Sequence, residues 1–340
     1  MKKLALVLGV LALLAMSFGD ASYGRDRPFG AADLVSLKWA PSAMEKDIGG
    51  GGGAGQTDPG GQFTISQIEQ FRCSSSGNPG AAVDISCNTT QYNQDWNPDN
   101  EIGVAVNPEN PNHVVAGSND YFYRFNNRTG VRQALVPTGF FTSFDGGANW
   151  IDGQIPLRSG NGAGDPSPAF DAEHDVVLMA QLENQGGNGS AFVTQGDVSV
   201  SRSTDGGVTW SEPITVFMGT GAAIGPANQA VFYDKEWLTV DNNPESPFFG
   251  RAYLTTSRFL NGAHGSYAES PIWFSSSDDG GLTWTAPKEI SGSHPSCTFQ
   301  TTGTGTDCDE DQFSVPEVAS DGTLYVHFLN GQNDAAWEVP

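Results

Sequence analysis

The chain has 340 residues and a formal net charge of -23, with 16 Lys and Arg against 39 Asp and Glu. Displacing the counterions of a polyphosphate needs clustered cations, so this balance excludes nucleic acid and anionic lipid as partners. The length and an apolar content of 38% allow one large β architecture or two modest domains, so size sets no limit on a core.

Lys2 and Lys3 precede an apolar run from Leu4 to Phe18, and the small residues Gly19 and Ala21 follow. This pattern predicts a secretory signal over residues 1–21, cut after Ala21. The run is too short, and too one-sided in its flanks, for a membrane span, and no second long apolar run follows. The mature chain is therefore expected to be secreted, periplasmic or on the cell surface, with no membrane span. Residues 22–62 include "DIGGGGGAGQTDPGG", which has neither helical nor strand period and reads as a flexible lead-in. Residues 63–96 hold Cys73 and Cys87, while Cys297 and Cys308 lie near the other end. Four cysteines in an exported chain favour disulfides, and proximity favours Cys73 with Cys87 and Cys297 with Cys308 among three possible connectivities. Zinc is the weaker reading, because no CxxC occurs and His294 is the only histidine near a cysteine. Sequons at Asn88, Asn127 and Asn188 matter only in a glycosylating host, and the short Lys-Lys leader looks bacterial.

From about Asn97 onward, short strand-like runs recur between Gly, Asn, Asp and Pro, and helical signals are nearly absent. Their order repeats. "EIGVAVNPENPNHVVAGSNDY", "GDPSPAFDAEHDVVLMAQL", "DKEWLTVDNNPESPFFGRAYLTTS" and "DQFSVPEVASDGTLYVHFLNGQ" open four units, and the first three end in a shared box. The boxes are "TSFDGGANW", "SRSTDGGVTW" and "SSSDDGGLTW", with aspartates at 145, 205 and 279, hence spacings of 60 and 74 residues. A unit of that size holds four short strands with long loops, the size of a propeller blade with insertions, and a plain sandwich would not repeat one turn after every third strand. The predicted fold is all-β, a β-propeller of four-stranded blades over residues 97–340, with three blades and part of a fourth.

Each box has a structural use for every residue. The glycines, among them Gly147, Gly207 and Gly281, supply positive φ; Asp145, Asp205 and Asp279 accept from turn amides; Ser143, Ser203 and Ser277 close the loop. Trp150, Trp210 and Trp284 carry apolar faces to bury between units. One carboxylate per box, apart from Asp278 beside Asp279, is too few for a calcium loop, and a catalytic pair has no reason to occur three times.

The boxes, their place at the third-to-fourth strand turn and the exported β-rich context resemble the Asp-box repeats of the sialidase superfamily. The resemblance covers about Asn97 to Pro340. It implies a six- or seven-bladed propeller and an exo-glycosidase-like activity on extracellular glycans; Asp-box propellers with no activity also exist, so a surface or adhesion propeller binding a glycan or protein is the alternative. Sialidases hold the substrate carboxylate with three arginines and use a Tyr-Glu nucleophile pair with an aspartate acid/base. Their Phe/Tyr-Arg-Ile-Pro motif is absent, since "YRFNN" at Tyr123 differs from it. The remaining blades would come from a longer chain or another copy, and Pro340 falling within a blade favours the longer chain.

In such propellers the innermost strands line a channel, here "VAVNP", "PAFDA", "LTVDN" and "PEVAS". Their entrances place Glu101, Asp165, Asp234, Glu236, Asp309 and Asp311 in an acidic rim. Clustered acids repel unless something positive or protonated sits among them, which suggests a calcium or sugar-hydroxyl site, against solvated strand ends as the plain alternative. The loop after Asn119 offers Asp120, Tyr121 and Arg124 as candidate catalytic residues, or is an ordinary polar loop.

Overall fold

The computed structural model describes residues 71–74, 99–120, 122–125, 132–135, 137–156, 163–185, 195–220, 230–261, 267–295, 297 and 307–331, all within the unit Trp39–Pro340. The signal, the lead-in and Cys87 lie outside them. Every regular element among the described residues is a strand. In the first unit these are β1 (Phe71–Ser74), β2 (Asp99–Val106), β3 (Val114–Asp120), the loop hairpin β4 (Phe122–Phe125) and β5 (Arg132–Leu135), β6 (Thr138–Ser143) and β7 (Asn149–Gln154). The second has β8 (Ala163–Asp171), β9 (Val176–Gln185), β10 (Gln195–Ser203) and β11 (Ile214–Phe217). The third has β12 (Ala230–Val240), β13 (Ala252–Asn261), the short β14 (Tyr267–Glu269), β15 (Ile272–Ser277) and β16 (Lys288–Glu289); the fourth has β17 (Asp311–Val318) and β18 (Leu324–Asn330).

The first three units are antiparallel meanders, β2-β3-β6-β7, β8-β9-β10-β11 and β12-β13-β15-β16, with β1 added outside β7. Gly196 of β10 pairs with Phe232 of β12, a single parallel contact joining the second and third. The middle strands are buried on both faces, as all six residues of β6 show. Strand alternation explains how. Val177 and Met179 of β9 face the first unit with Val115 and Phe140, while Leu178 and Ala180 face the third with Leu238 and Leu254. The second sheet is thus sandwiched between its neighbours, and a fully buried side chain such as Phe140 contributes roughly 2 kcal/mol of apolar burial.

The three boxes share one hydrogen-bond pattern. Ser203 Oγ donates to Asp205 Oδ1 at 2.8 Å and accepts from Gly207 N at 2.7 Å, and Thr209 donates to the same aspartate through N at 2.8 Å and Oγ1 at 2.6 Å. Ser277, Gly281 and Thr283 do the same around Asp279, and Ser143, Gly147 and Asn149 around Asp145. Both glycines of each box have positive φ, between 65° and 91°, where a side chain is disfavoured.

Each later box also fastens its unit to the one before. Gly207 O accepts from Thr142 Oγ1 at 2.7 Å and Gly206 O accepts from His113 Nε2 at 2.7 Å, while Gly280 O accepts from Arg202 Nε. A carbonyl can only accept, so His113 carries its proton on Nε2. Trp210 packs against the core between the first two units, 5.8 Å from Phe140 by ring centroids, and Trp284 against the core between the second and third. Trp150 is buried with Ala116 and Phe141, its Nε1 donating to Gly147 O at 2.9 Å. Cys297 and Cys308 form a disulfide, and Cys308 N donates to Gly292 O at 2.9 Å. Closing this short loop stabilises by about 2–3 kcal/mol through the unfolded chain.

Candidate functional site

The first strand of every unit departs from regular pairing at one place. Two residues stand against one between Asn100 and Gly103 in β2, Gly164 and Ser167 in β8, Asp234 and Trp237 in β12, and Gln312 and Val315 in β17. The first extra residue of each is left-handed, with φ of 54° at Glu101, 52° at Asp165, 56° at Lys235 and 57° at Phe313. None is a glycine, so each costs about 1–2 kcal/mol of backbone strain. A bulge bends its strand and re-aims the side chains beside it. Here the four bulges aim at one cavity of about 280 Å³, lined by Glu101, Ile102, Asp165, Pro166, Lys235, Glu236, Trp237, Phe313, Ser314 and Val315. That volume lies near the lower end for small-molecule sites, roughly 300 Å³ and upward.

Lys235 is the hub of the charges. Its Nζ donates to Glu101 Oε2 at 2.5 Å and to Asp165 Oδ2 at 3.3 Å, and its backbone N donates to Asp234 Oδ1 at 2.7 Å. Asp165 is also held by Asn119, whose Nδ2 donates to Oδ1 at 3.2 Å and whose Oδ1 accepts from Asp165 N at 2.5 Å. Burial works against the Asp165 charge, but the Lys235 ammonium and hydrogen bonds from Glu101, Asn119 and Asp234 outweigh it and keep the carboxyl below its usual range. Burial pushes Glu101 up to about 7 against the pull of Lys235, with the Asp165 charge adding to the rise. Asp234 also reaches about 7, burial leading and Asp165 adding while Lys235 opposes. Burial lowers Lys235 less than the three carboxylates raise it, so its ammonium is retained.

Glu236 differs from all of these. It is 3% exposed, and neither carboxyl oxygen has a hydrogen-bond partner. Burial holds it well above the ordinary Glu range, and the Asp165 charge adds to the effect. One cavity thus contains a carboxyl held below its usual range, Asp165, and one held above it, Glu236, with the Lys235 ammonium bound to Asp165 and Glu101.

The structure brings Glu101, Asp165, Asp234 and Glu236 of the predicted rim together. Asp309 and Asp311 lie elsewhere. Ser270 N donates to Asp309 O at 2.7 Å and Asp311 N donates to Ser270 O at 3.1 Å, so these acids belong to the seam between the third and fourth units. Burial pushes Asp311 up to about 7, a Ser291 hydrogen bond opposing and the charges of Asp309, Glu310 and Glu289 adding. The fourth unit gives the cavity Phe313, Ser314 and Val315 instead, because the bulge, and not the strand entrance, sets which residues face inward. Asp120 ends β3, where its Oδ2 accepts from Gln154 Nε2 at 2.5 Å, and it does not line the cavity. Arg124 lies on β4 opposite Gln133, and Tyr121 lies outside the described residues. Among the described residues no group of three or more His, Cys, Asp or Glu is arranged to hold a metal ion; the positive charge among the clustered acids is the Lys235 ammonium.

Sequence reasoning missed the central place of Lys235 and the inward position of Phe313. One signal was available: Asp234, Lys235 and Glu236 are three consecutive charged residues inside a strand whose other residues, Thr239 apart, are apolar or aromatic.

No family model matches the chain. No curated protein matches it. Among solved structures it is similar to a Hadza microbial sialidase, at 19% identity and a TM-score of 0.41, over 69% of this chain and 42% of that one. The chain thus spans less than half the length of that enzyme. It is also similar to the intramolecular trans-sialidase from Ruminococcus gnavus in complex with oseltamivir carboxylate, at 13% identity and a TM-score of 0.42, over 70% of this chain and 67% of that one. A thermostable family-43 glycoside hydrolase shares 12% identity at a TM-score of 0.36, over 66% of this chain and 64% of that one.

Proposed function

We propose that the chain forms blades of an exported, sialidase-like β-propeller that binds and hydrolyses extracellular glycans at the cavity between the bulges. The observation that carries this reading is the pair Asp165 and Glu236: one carboxylate fixed by Lys235 and Asn119, one buried acid with both oxygens unpartnered, facing the same space. Two carboxyl groups driven to opposite protonation states are what glycoside hydrolysis requires. Glu236 supplies the proton to the leaving oxygen. Asp165 stabilises the positive charge that develops on the sugar ring as the glycosidic bond breaks, and water then adds to that carbon and returns a proton to Glu236.

The test is release of a fluorophore from a panel of sialosides and neutral glycosides by the whole chain. Turnover of at least one substrate is expected, lowered about 10²–10⁴-fold in Glu236→Gln. Silence across the panel would sink the reading. The closed contacts of Lys235 with Glu101 and Asp165 favour a second one, a non-catalytic surface propeller that holds a glycan or protein partner at the same cavity. It gives binding without turnover.

A further inference from the structure

We propose that this cavity selects sugars without a carboxylate: a single neutral ring, with its apolar face on Trp237 or Phe313 and its hydroxyls on the acids. The inference rests on the glycan-acting reading above and names the substrate class of the same site. Glu101, Asp165 and Glu236 line the cavity and Asp234 adjoins it, against one cation, Lys235. That cation is already engaged by Glu101 and Asp165. Among the described residues that line this wall none is an arginine, so the positive charge they offer a sugar carboxylate is the Lys235 ammonium.

Glu236 is the group that asks for a ligand. It is buried, it lines the cavity, and neither of its oxygens has a partner. A hydroxyl donates and accepts, so it satisfies this carboxyl in either protonation state. An incoming carboxylate only accepts, so it pairs with Glu236 in the protonated form alone, and it would lose its water beside ionised Asp165. Trp237 and Phe313, 45% and 43% exposed, both line the cavity and supply aromatic surface suited to the C–H face of a ring. The cavity of about 280 Å³ has room for one such ring.

The experiment titrates the chain with matched methyl glycosides that differ only at C6: glucoside and glucuronide, galactoside and galacturonide, mannoside and mannuronide. NMR line shapes or calorimetry at pH 7.5 give the affinities. At least one neutral member is expected to bind, with its uronide weaker by at least about tenfold, as one like charge at close range implies. Glu101→Gln removes one negative charge and should narrow that ratio; Phe313→Ala should weaken the neutral sugar and leave the ratio alone. A uronide that binds equally or more tightly overturns the inference and leaves the glycan-acting reading standing. No binding by any member overturns both. A uronide penalty without turnover of any glycoside upholds the inference while hydrolysis falls.

Discussion

Asp205 and Glu236 are acids at opposite ends of the same kind of sheet. Asp205 sits at a third-to-fourth strand turn and accepts from Ser203 Oγ, Thr209 N and Thr209 Oγ1. Burial opposes its charge, the Thr209 hydrogen bonds outweigh burial, and the carboxyl lies below its usual range. Glu236 sits at a first-strand bulge, its carboxyl accepts from no other residue, and it is held well above its usual range by burial. The boxes are built from positive-φ glycines, whereas the bulges force Glu101, Asp165, Lys235 and Phe313 into the same backbone region. The difference teaches that a repeated acid with both oxygens engaged within its own turn belongs to architecture, whereas the strained bulges hold Glu236, an unsatisfied acid, where a ligand would complete it.

Removing the hub has the largest expected effect. Lys235→Met leaves Glu101 and Asp165 without their shared cation and should cost about 2–3 kcal/mol at pH 8, less than for a fully buried pair because Lys235 is partly exposed. At pH 5, with Glu101 and Asp234 protonated, the cost should shrink; equal losses at both pH values, by denaturant unfolding, would break the comparison. Asp205→Ala should cost about 1–2 kcal/mol through its lost turn hydrogen bonds, with sugar binding unchanged. Glu236→Leu should run the other way and raise stability by about 1 kcal/mol while abolishing turnover, because it replaces an unpartnered buried acid. The smallest effect is Phe313→Gly, where relief of left-handed strain offsets the lost ring and leaves stability within about 0.5 kcal/mol.

The box end was legible in the sequence and the bulge end only in part. A box is a local pattern, in which Ser203, Asp205, Gly207 and Thr209 make their contacts within a few residues of one another, so residue types and spacing state the geometry. The unit order was legible for the same reason, since "VAVNP", "PAFDA", "LTVDN" and "PEVAS" overlap the ends of β2, β8, β12 and β17. A bulge is a relation between two strands and leaves no such trace. No glycine marks the left-handed residue, and nothing local shows that Phe313, not Asp309 or Asp311, stands in the place of Glu101, Asp165 and Lys235. The joining of Lys235 to two acids of earlier units depends on packing between sheets, a contact 134 residues apart for Glu101.

The two ends also differ in how protons couple to folding. Glu101 and Asp234 stand at about 7 in the fold against ordinary values of 4.5 and 3.8, so the folded chain holds more protons between those limits. The stability they contribute is complete at low pH and is lost as pH rises through 7. Asp205 and Asp279 lie below 3.8, so their contribution is present above that value and is lost as pH falls through their folded range.

The most direct measurement is a carboxyl ¹³C NMR titration of the folded chain, with Glu101, Asp205, Asp234 and Asp279 assigned through single substitutions to Gln or Asn. Glu101 and Asp234 should titrate near 7 and the two box aspartates below 3.8. Both sets titrating together near 4 would contradict the division of the molecule into an architectural end and a ligand-seeking end.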